Sequence, residues 1–505
     1  MDDSRTVGHP ALGRMRDTAA HAAPPPDTAV RLSAINFEEN YMSLTRQLAA
    51  CCLLLVIASV AFAAPAVGWR TDGTGKYPSA TPPVEWAPDK NIVWSTVMPS
   101  WSNATPVPVG DKLFMSSEPD TLMCVSATDG KILWQRTNGY KEIATGDDLA
   151  KVDTTNAQVA ELRKQLGQAQ GAFWKMRTEA QDKPDDAELK AKMEETKLKI
   201  ADLQKQLQPL ETAWYVFPKT YPINGFSTPT PVCDGQRVYA LFNHGVVAAY
   251  DLDGTLLWRR FTEKPSNEWG HSTSPVMADG KLIIHIKNLT ALDPATGNEI
   301  WKVKLAEDWG TPQVGKVGDT EIIVTPGGDL VRATDGKVLA SQLCRLEYGD
   351  PILAGDRLYF IHNDGKTDAR AFKLPAIVDG TEYKPELLWT AKIRKDRYYA
   401  ASVLDNGLIY SVTQTGVLSV IDAENGQVVY EKPLGAKPTY YPAIAMAGNL
   451  LYISSDNGTT FVVKSGRTFE QVAMNTLEPF RACPVFIGNK LYIRGLKTLY
   501  CIGTP

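Results

Sequence analysis

The sequence predicts an all-β protein: a ring of eight four-stranded units carrying one inserted antiparallel pair of helices. Three observations lead there. A phrase of alternating strands, Gly turns and a closing aromatic recurs about every 40 residues, a spacing typical of ring-forming or stacked repeats. Within each copy the apolar runs are short, rich in β-branched and aromatic residues and bounded by Gly turns, as in "KLFMS", "RVYAL", "KLIIHI" and "LLYIS". Between the first and second copies, over residues 141–212, the apolar period changes from two to three and four, the helical spacing.

The chain opens with a segment that belongs to neither pattern. Residues 1–41 are rich in Pro, Ala and charge and hold no sustained apolar period, so they read as a disordered extension or as sequence upstream of the true start. Residues 42–63 then have the order of a secretory signal peptide: Arg46 in a basic start, an apolar run from Leu48 to Val60, and the small-residue cleavage site Ala61-Phe62-Ala63. The run is too short to span a bilayer. "LAAC" ahead of it precedes the apolar run instead of following it, so lipidation of Cys51 is not expected. The mature protein is expected to begin near Ala64 and to be exported, to a bacterial periplasm or cell envelope. Cys51 and Cys52 leave with the signal, and Cys124, Cys233, Cys344, Cys483 and Cys501 remain, scattered singly with no C-x-x-C. That spacing argues against a zinc site or an attached haem and for small buried thiols. A net charge of -4 over 505 residues leaves no basic footprint for nucleic acid.

The repeat can be followed copy by copy. The first runs from Ser102 to Trp134, the second from Phe226 to Trp258 and the third from His271 to Trp301. The fourth ends on Ala340 where a Trp is expected, the fifth runs from Tyr348 to Trp389 around an insertion, and the sixth carries Tyr430 in the Trp position. The seventh begins at Tyr440; the eighth, "FRACPVFIGNKLYIRGLKTLYCIG", supplies three strands and stops at Gly503. "APDKNIVW", Ala87 to Trp94, has the turn and the Trp of a missing fourth strand. The N-terminal strand is therefore expected to complete the last unit and close the ring, which removes exposed edges. A four-stranded unit cannot bury both faces alone; stacked radially, each covers the next, which is a β-propeller. Residues 64–140 and 213–505 are assigned to it.

In the insertion, Val159, Leu162, Leu166, Ala169, Phe173 and Met176 form one seam. Leu189, Met193, Thr196, Ile200, Leu203, Leu207 and Leu210 form a second, after the turn "DKPDD". The expectation is a coiled-coil hairpin of two helices of about 25 residues, about 37 Å long, that needs no other core. Thr155-x-x-Gln158 reads as the capping box at its start. Such an arm suits contact with a partner or a second copy.

"ATDGKILW", Ala127 to Trp134, and its copies resemble the repeat signature of the pyrroloquinoline-quinone-like (PQQ-like) propeller family. The resemblance implies that Trp94, Trp134, Trp258, Trp301, Trp389 and Tyr430 dock each blade on the next. It also implies one of two activities. One branch holds PQQ and calcium in the central funnel as quinoprotein oxidoreductases; the other, of BamB type, binds proteins without catalysis. The dehydrogenases that the resemblance brings to mind carry a vicinal Cys pair, and here the only one is Cys51-Cys52, in the signal peptide. No blade shows a clear cluster of Glu, Asn and Asp for calcium. Asp350 and Asp364 sit near strand starts or turns, where this repeat usually carries carboxylates. The resemblance therefore favours a protein-binding scaffold, with no cofactor expected and no catalytic or metal residue named. The alternatives are a PQQ-dependent oxidoreductase using PQQ and calcium, and a carbohydrate- or peptide-binding module.

For such a module the binding residues would be those that open the blades: Trp101, Phe226, Trp269, Trp309, Tyr348, Tyr399, Tyr440 and Phe480, with His271 and Arg481 beside them. Their rings suit stacking and apolar contact at a funnel mouth, or packing at the blade entrance. Most stand three to six residues ahead of a Pro, out of strict register. His244, His285 and His362 have no metal-ligand spacing between them.

Overall fold

A computed structural model describes residues 66–378, 380, 382–435 and 439–504. The expected signal peptide, residues 42–63, and the extension expected before it lie outside the described residues. Among the described residues the strands form eight sheets. In chain order the sheets lie within residues 107–137, 232–261, 276–304, 313–340, 352–391, 403–433, 445–476 and 485–502, each an antiparallel meander. The eighth takes its fourth strand from the start of the chain. Ile92–Val97 pairs antiparallel with Thr498–Ile502, with Trp94 opposite Cys501. The seventh gains a fifth strand, Lys76–Tyr77, which runs parallel to Ala445–Ala447.

The core lies between sheets. Val107, Phe114 and Cys124 of the first sheet pack with Val238, Ala240 and Tyr250 of the second. The same kind of cluster joins second to third, third to fourth and onward. Leu113, Met115 and Met123 of the first sheet pack with Tyr492, Leu499 and Cys501 of the eighth. This is the packing of a β-propeller, whose sheets are covered on both faces by neighbours. All five described cysteines are buried in it and unbridged.

The recurring Gly and Trp meet at these joints. The Trp94 ring lies on Gly130, Trp134 on Gly254, Trp258 on Gly297, Trp301 on Gly336 and Trp389 on Gly426. Each indole Nε1 also donates to a carbonyl just before that glycine: Ala127, Leu252, Pro294, Ala333 and Ala423, at 2.9–3.3 Å. A Cβ on Gly254 would sit 2.7 Å from the Trp134 ring, and its φ of +84° disfavours any other residue. Tyr430 instead meets Phe469 edge-on at 6.4 Å. The seventh sheet brings no Trp to its joint with the eighth; Trp86, from the N-terminal segment, is buried there and stacks on Tyr452.

The insertion forms two helices, α1 (Gly146–Asp182) and α2 (Ala187–Glu211), which pack on each other. Asp186 caps α2 by accepting from the Leu189 N–H. Val159, Leu162, Ala169, Leu189, Leu203 and Leu207 are buried along the predicted seams. Two expectations are corrected. The first helix has 37 residues and begins nine residues before Thr155, which lies inside it, so the Thr155–Gln158 pair is not a cap. The hairpin also shares a core with the propeller. Tyr140, Val152, Tyr215 and Val216 at its root pack with Val246 of the second sheet, and Phe217 and Phe261 complete the cluster. Among the described residues no helix is long and apolar enough to cross a membrane.

Candidate functional site

The segments that lead into the first strands of the eight sheets enclose a cavity of about 550 Å³. Its wall follows a register that the aromatics alone conceal. Three residues before the Pro that opens each inner strand stand Asn103, Thr228, Ser272, Trp309, Tyr348 and Arg481; Tyr399 and Tyr441 hold the same place where Ser402 and Ile444 replace that Pro. All eight line the cavity, one from the segment ahead of each sheet. Four consecutive rings form a continuous wall: Trp309 to Tyr348 at 5.6 Å, Tyr348 to Tyr399 at 4.7 Å, Tyr399 to Tyr441 at 4.9 Å. The Arg481 guanidinium extends it, 5.7 Å over Tyr441. Across the mouth, Trp269 stacks on Tyr221 at 4.1 Å.

Below this wall runs a belt of side-chain to backbone bonds, one residue before the same Pro. Cys483 N donates to Thr105 Oγ1, Thr105 N to Thr230 Oγ1, Thr230 N to Ser274 Oγ, Ser274 N to Thr311 Oγ1, and Thr311 N to Asp350 Oδ1. At the sixth and seventh sheets the equivalent residues are Ala401 and Ala443, which offer no side-chain acceptor. There Trp69, from the N-terminal segment, packs against Ala401, Ala443 and Cys483. Its Nε1 donates to Asp350 Oδ2 at 2.6 Å. Burial pushes the Asp350 carboxyl above its usual range, while nearby Arg70 and the Trp69 N–H oppose the shift.

Of the residues expected at the mouth, Trp269, Trp309, Tyr348, Tyr399 and Arg481 line it. The others lie elsewhere. Tyr440 and Phe480 are fully buried between sheets, and their chain neighbours Tyr441 and Arg481 face the cavity instead. Trp101 lies against Gly225, and Phe226 packs with Phe217 and His244. His271 is buried, its Nε2 against the His285 carbonyl. Asp364 accepts from the Lys366 and Thr367 N–H groups of its own turn. Sequence reasoning missed Trp69, Asn103, Thr228, Ser272 and Tyr441; counting back from the Pro would have found Asn103, Thr228 and Ser272.

The histidines instead carry an acid-stability prediction. Burial pushes His244 and His271 down to about 3 and His285 to about 4. Unfolded imidazole titrates near pH 6.5. The unfolded chain therefore takes up the protons that the fold refuses, and stability is lost as pH falls from about 6.5 toward 3. Asp120, raised to about 6 by burial, works in the opposite sense between about pH 6 and 4. Melting temperature is expected to be flat between about pH 6.5 and 7.5 and to fall below that window. His244 sits among Tyr140, Phe217, Phe226 and Phe242, and neither ring nitrogen meets a partner from another residue. His244→Phe is expected to raise stability at neutral pH by about 1 kcal/mol and to make the acid slope shallower. A slope unchanged in that variant would place the acid sensitivity elsewhere.

Calcium, which a quinone of the PQQ kind would bring, takes about six to eight oxygens. Two carboxylates, Glu347 and Asp350, line the cavity, and Asp350 spends both oxygens on protein donors. Among the described residues no three His, Cys, Asp or Glu side chains gather into a metal site. The cavity as built does not fit that ion.

No curated protein matches the chain in sequence. Among solved structures, BamB from Moraxella catarrhalis is similar, with a TM-score of 0.51 at 10% identity, over 82% of this chain and 99% of that one. Quinohemoprotein alcohol dehydrogenases from Comamonas testosteroni and Pseudomonas putida reach TM-scores of 0.49 and 0.46 at 13% and 12% identity. They cover 86% and 84% of this chain and 80% and 78% of theirs. The family described as outer membrane protein assembly factor BamB matches residues 84–287, 219–314 and 285–493. With that match over most of its length, the chain belongs to the BamB-like family of PQQ-repeat β-propellers.

Proposed function

We propose that the protein is a non-catalytic binding propeller that holds a protein partner at the bacterial cell envelope. In this reading residues 42–63 direct export, and the eight sheets are the blades of one ring. Residues 64–140 and 213–505 make up that ring; Ile92–Val97 closes it, and the Gly-seated Trp rings and Tyr430 dock blade to blade. Residues 141–212 are an arm beside the binding face. The outer-membrane assembly role in the family's name supports a protein partner.

The observation that carries the reading is the composition of the mouth. One residue per sheet converges there, and the set is Trp, three Tyr, Arg, Asn, Ser and Thr. Trp, Tyr and Arg are the residues that dominate protein-binding hot spots, because they offer large rigid contact area together with a polar handle. Tyr with Ser and Asn is also the make-up of antibody binding loops.

The test is capture from envelope extracts on the immobilised mature protein. A specific partner is expected to be retained by the wild type and lost from Tyr348→Ala/Tyr399→Ala, with the two melting alike. Reduction of a redox dye by alcohols or sugars after addition of PQQ and calcium would overturn the proposal in favour of an oxidoreductase.

A further inference from the structure

We infer that the cup at the mouth takes an acidic protruding segment of its partner, a loop tip or chain end with an apolar side chain next to a carboxylate. This rests on the protein-binding reading above.

The cup is open at one end only. Val67 pairs with Cys233 on the inner strand of the second sheet, and Lys76–Tyr77 pairs with Met446 and Ala447 on the inner strand of the seventh. Between these anchors the strap spans the axis. Arg70 Nη2 donates to the carbonyls of Ser402 and Ile444, at the entrances of the sixth and seventh sheets, and Lys76 pairs with Asp405 at 2.6 Å. Trp69 lines the cup, while its neighbour Arg70, with Gly73, Thr74 and Lys76, lines a separate cavity of about 730 Å³. The strap is the wall between the two cavities. A polypeptide cannot thread past it and must enter and leave by one mouth, which suits a loop tip or a chain end.

The wall selects the chemistry. Tyr399 and Tyr441 lie between two guanidinium groups, Arg397 and Arg481. Arg397 makes one long side-chain bond, to the Tyr399 hydroxyl at 3.3 Å. Arg481 reaches the Ile223 carbonyl at 3.4 Å, and its Nε is buried without a hydrogen-bond partner. Asp456, 3.8 Å from that Nε, is the carboxylate within ion-pair range and lies beyond hydrogen-bond distance. Glu347 also lines the cup, near Arg397, and the two guanidinium groups, neither of them hydrogen-bonded to a carboxylate, still favour a carboxylate on the entering segment. The phenol and indole faces between them favour an apolar side chain. On the opposite wall Asn103, nine-tenths buried, is held by its Nδ2, which donates to the Ile223 carbonyl and Thr228 Oγ1, and its side-chain oxygen is buried without a partner.

The test is fluorescence polarisation of labelled heptapeptides, linear and cyclic, against the mature protein. Each peptide places Leu or Tyr beside Asp, beside Asn, or beside a C-terminus left free or amidated. Acidic peptides are expected to bind, and Asp→Asn or amidation to weaken them by about tenfold. The free-carboxylate and Asp series separate a chain end from a loop. Arg481→Gln and Arg397→Gln are expected to remove the same discrimination. If either variant melts early, the Asp against Asn comparison on the wild type still decides. Neutral peptides that bind as tightly as acidic ones overturn this inference and leave the protein-binding reading standing. Binding of oligouronates with no peptide of any charge retained overturns both.

Discussion

Deleting residues 87–98 is expected to abolish the folded protein, whereas replacing residues 150–210 with a short Gly-Ser linker leaves it folded. The two cuts differ fivefold in length, in the direction opposite to their effect. The short segment contains Ile92–Val97, which makes five register pairs with the last strand of the chain. At about 1 kcal/mol per hydrogen bond the ladder alone is a substantial part of a domain's stability, about 5–15 kcal/mol. The same cut removes Trp94 from Gly130 and uncovers the Tyr492, Leu499 and Cys501 side of the last sheet. It leaves Arg494 worse off still. This side chain is fully buried, and its Nη2 donates to the Ser100 carbonyl, two residues beyond the deletion. The hairpin cut removes nearly all of α1 and α2, which pack on each other, and the root residue Val152 with them, but spares Tyr140, Tyr215 and Val216, which face the second sheet. Circular dichroism and gel filtration of the two variants are the check. A folded, monodisperse Δ87–98 protein would show that the strand pairing does not hold the ring together.

The repeat was legible because its signal is local and periodic. A Gly turn followed four residues later by Trp marks an outer strand wherever it recurs, and "NIVW" had to pair with something that ended one strand short. The hairpin seams were legible for the same reason. The start of α1 was missed although Leu149 and Val152 continue the seam back from Val159, because the Thr155–Gln158 pair imitates a cap and the residues around Leu149 and Val152 are mostly polar; Val152 packs at the root. The mouth was half legible. Choosing residues by aromaticity selected Tyr440 and Phe480, whereas their neighbours face the cavity: Arg481, three before Pro484, and Tyr441, in the same place ahead of Ile444; backbone register, not ring type, decides which side chain faces the axis. Trp69 was not legible at all. Its partner Asp350 is 281 residues away, and nothing in "GWRTDG" marks a residue destined for the axis.

Trp69→Ala is therefore expected to have the second-largest effect of any change proposed, about 3 kcal/mol in urea unfolding. The indole fills the gap left where the belt of Thr, Ser and Asp acceptors stops, at Ala401, Ala443 and Cys483. Truncation leaves that gap open and also leaves Asp350 Oδ2 without its donor. Burial already raises the Asp350 carboxyl, and the Trp69 N–H is one of the groups that lower it, so the variant is expected to raise it further. Trp69→Phe separates the two causes. It keeps most of the volume and loses the hydrogen bond, so it is expected to cost about 1–2 kcal/mol, the price of one bond to a charged group. The pair also tests the strap as a wall. With alanine the cup loses its floor and joins the second cavity, so peptides held there should lose affinity while phenylalanine retains them. Equal stability and equal binding in both variants would mean that Trp69 neither seals the axis nor supports Asp350, and that the strap is held by its anchors at Cys233 and Met446 alone.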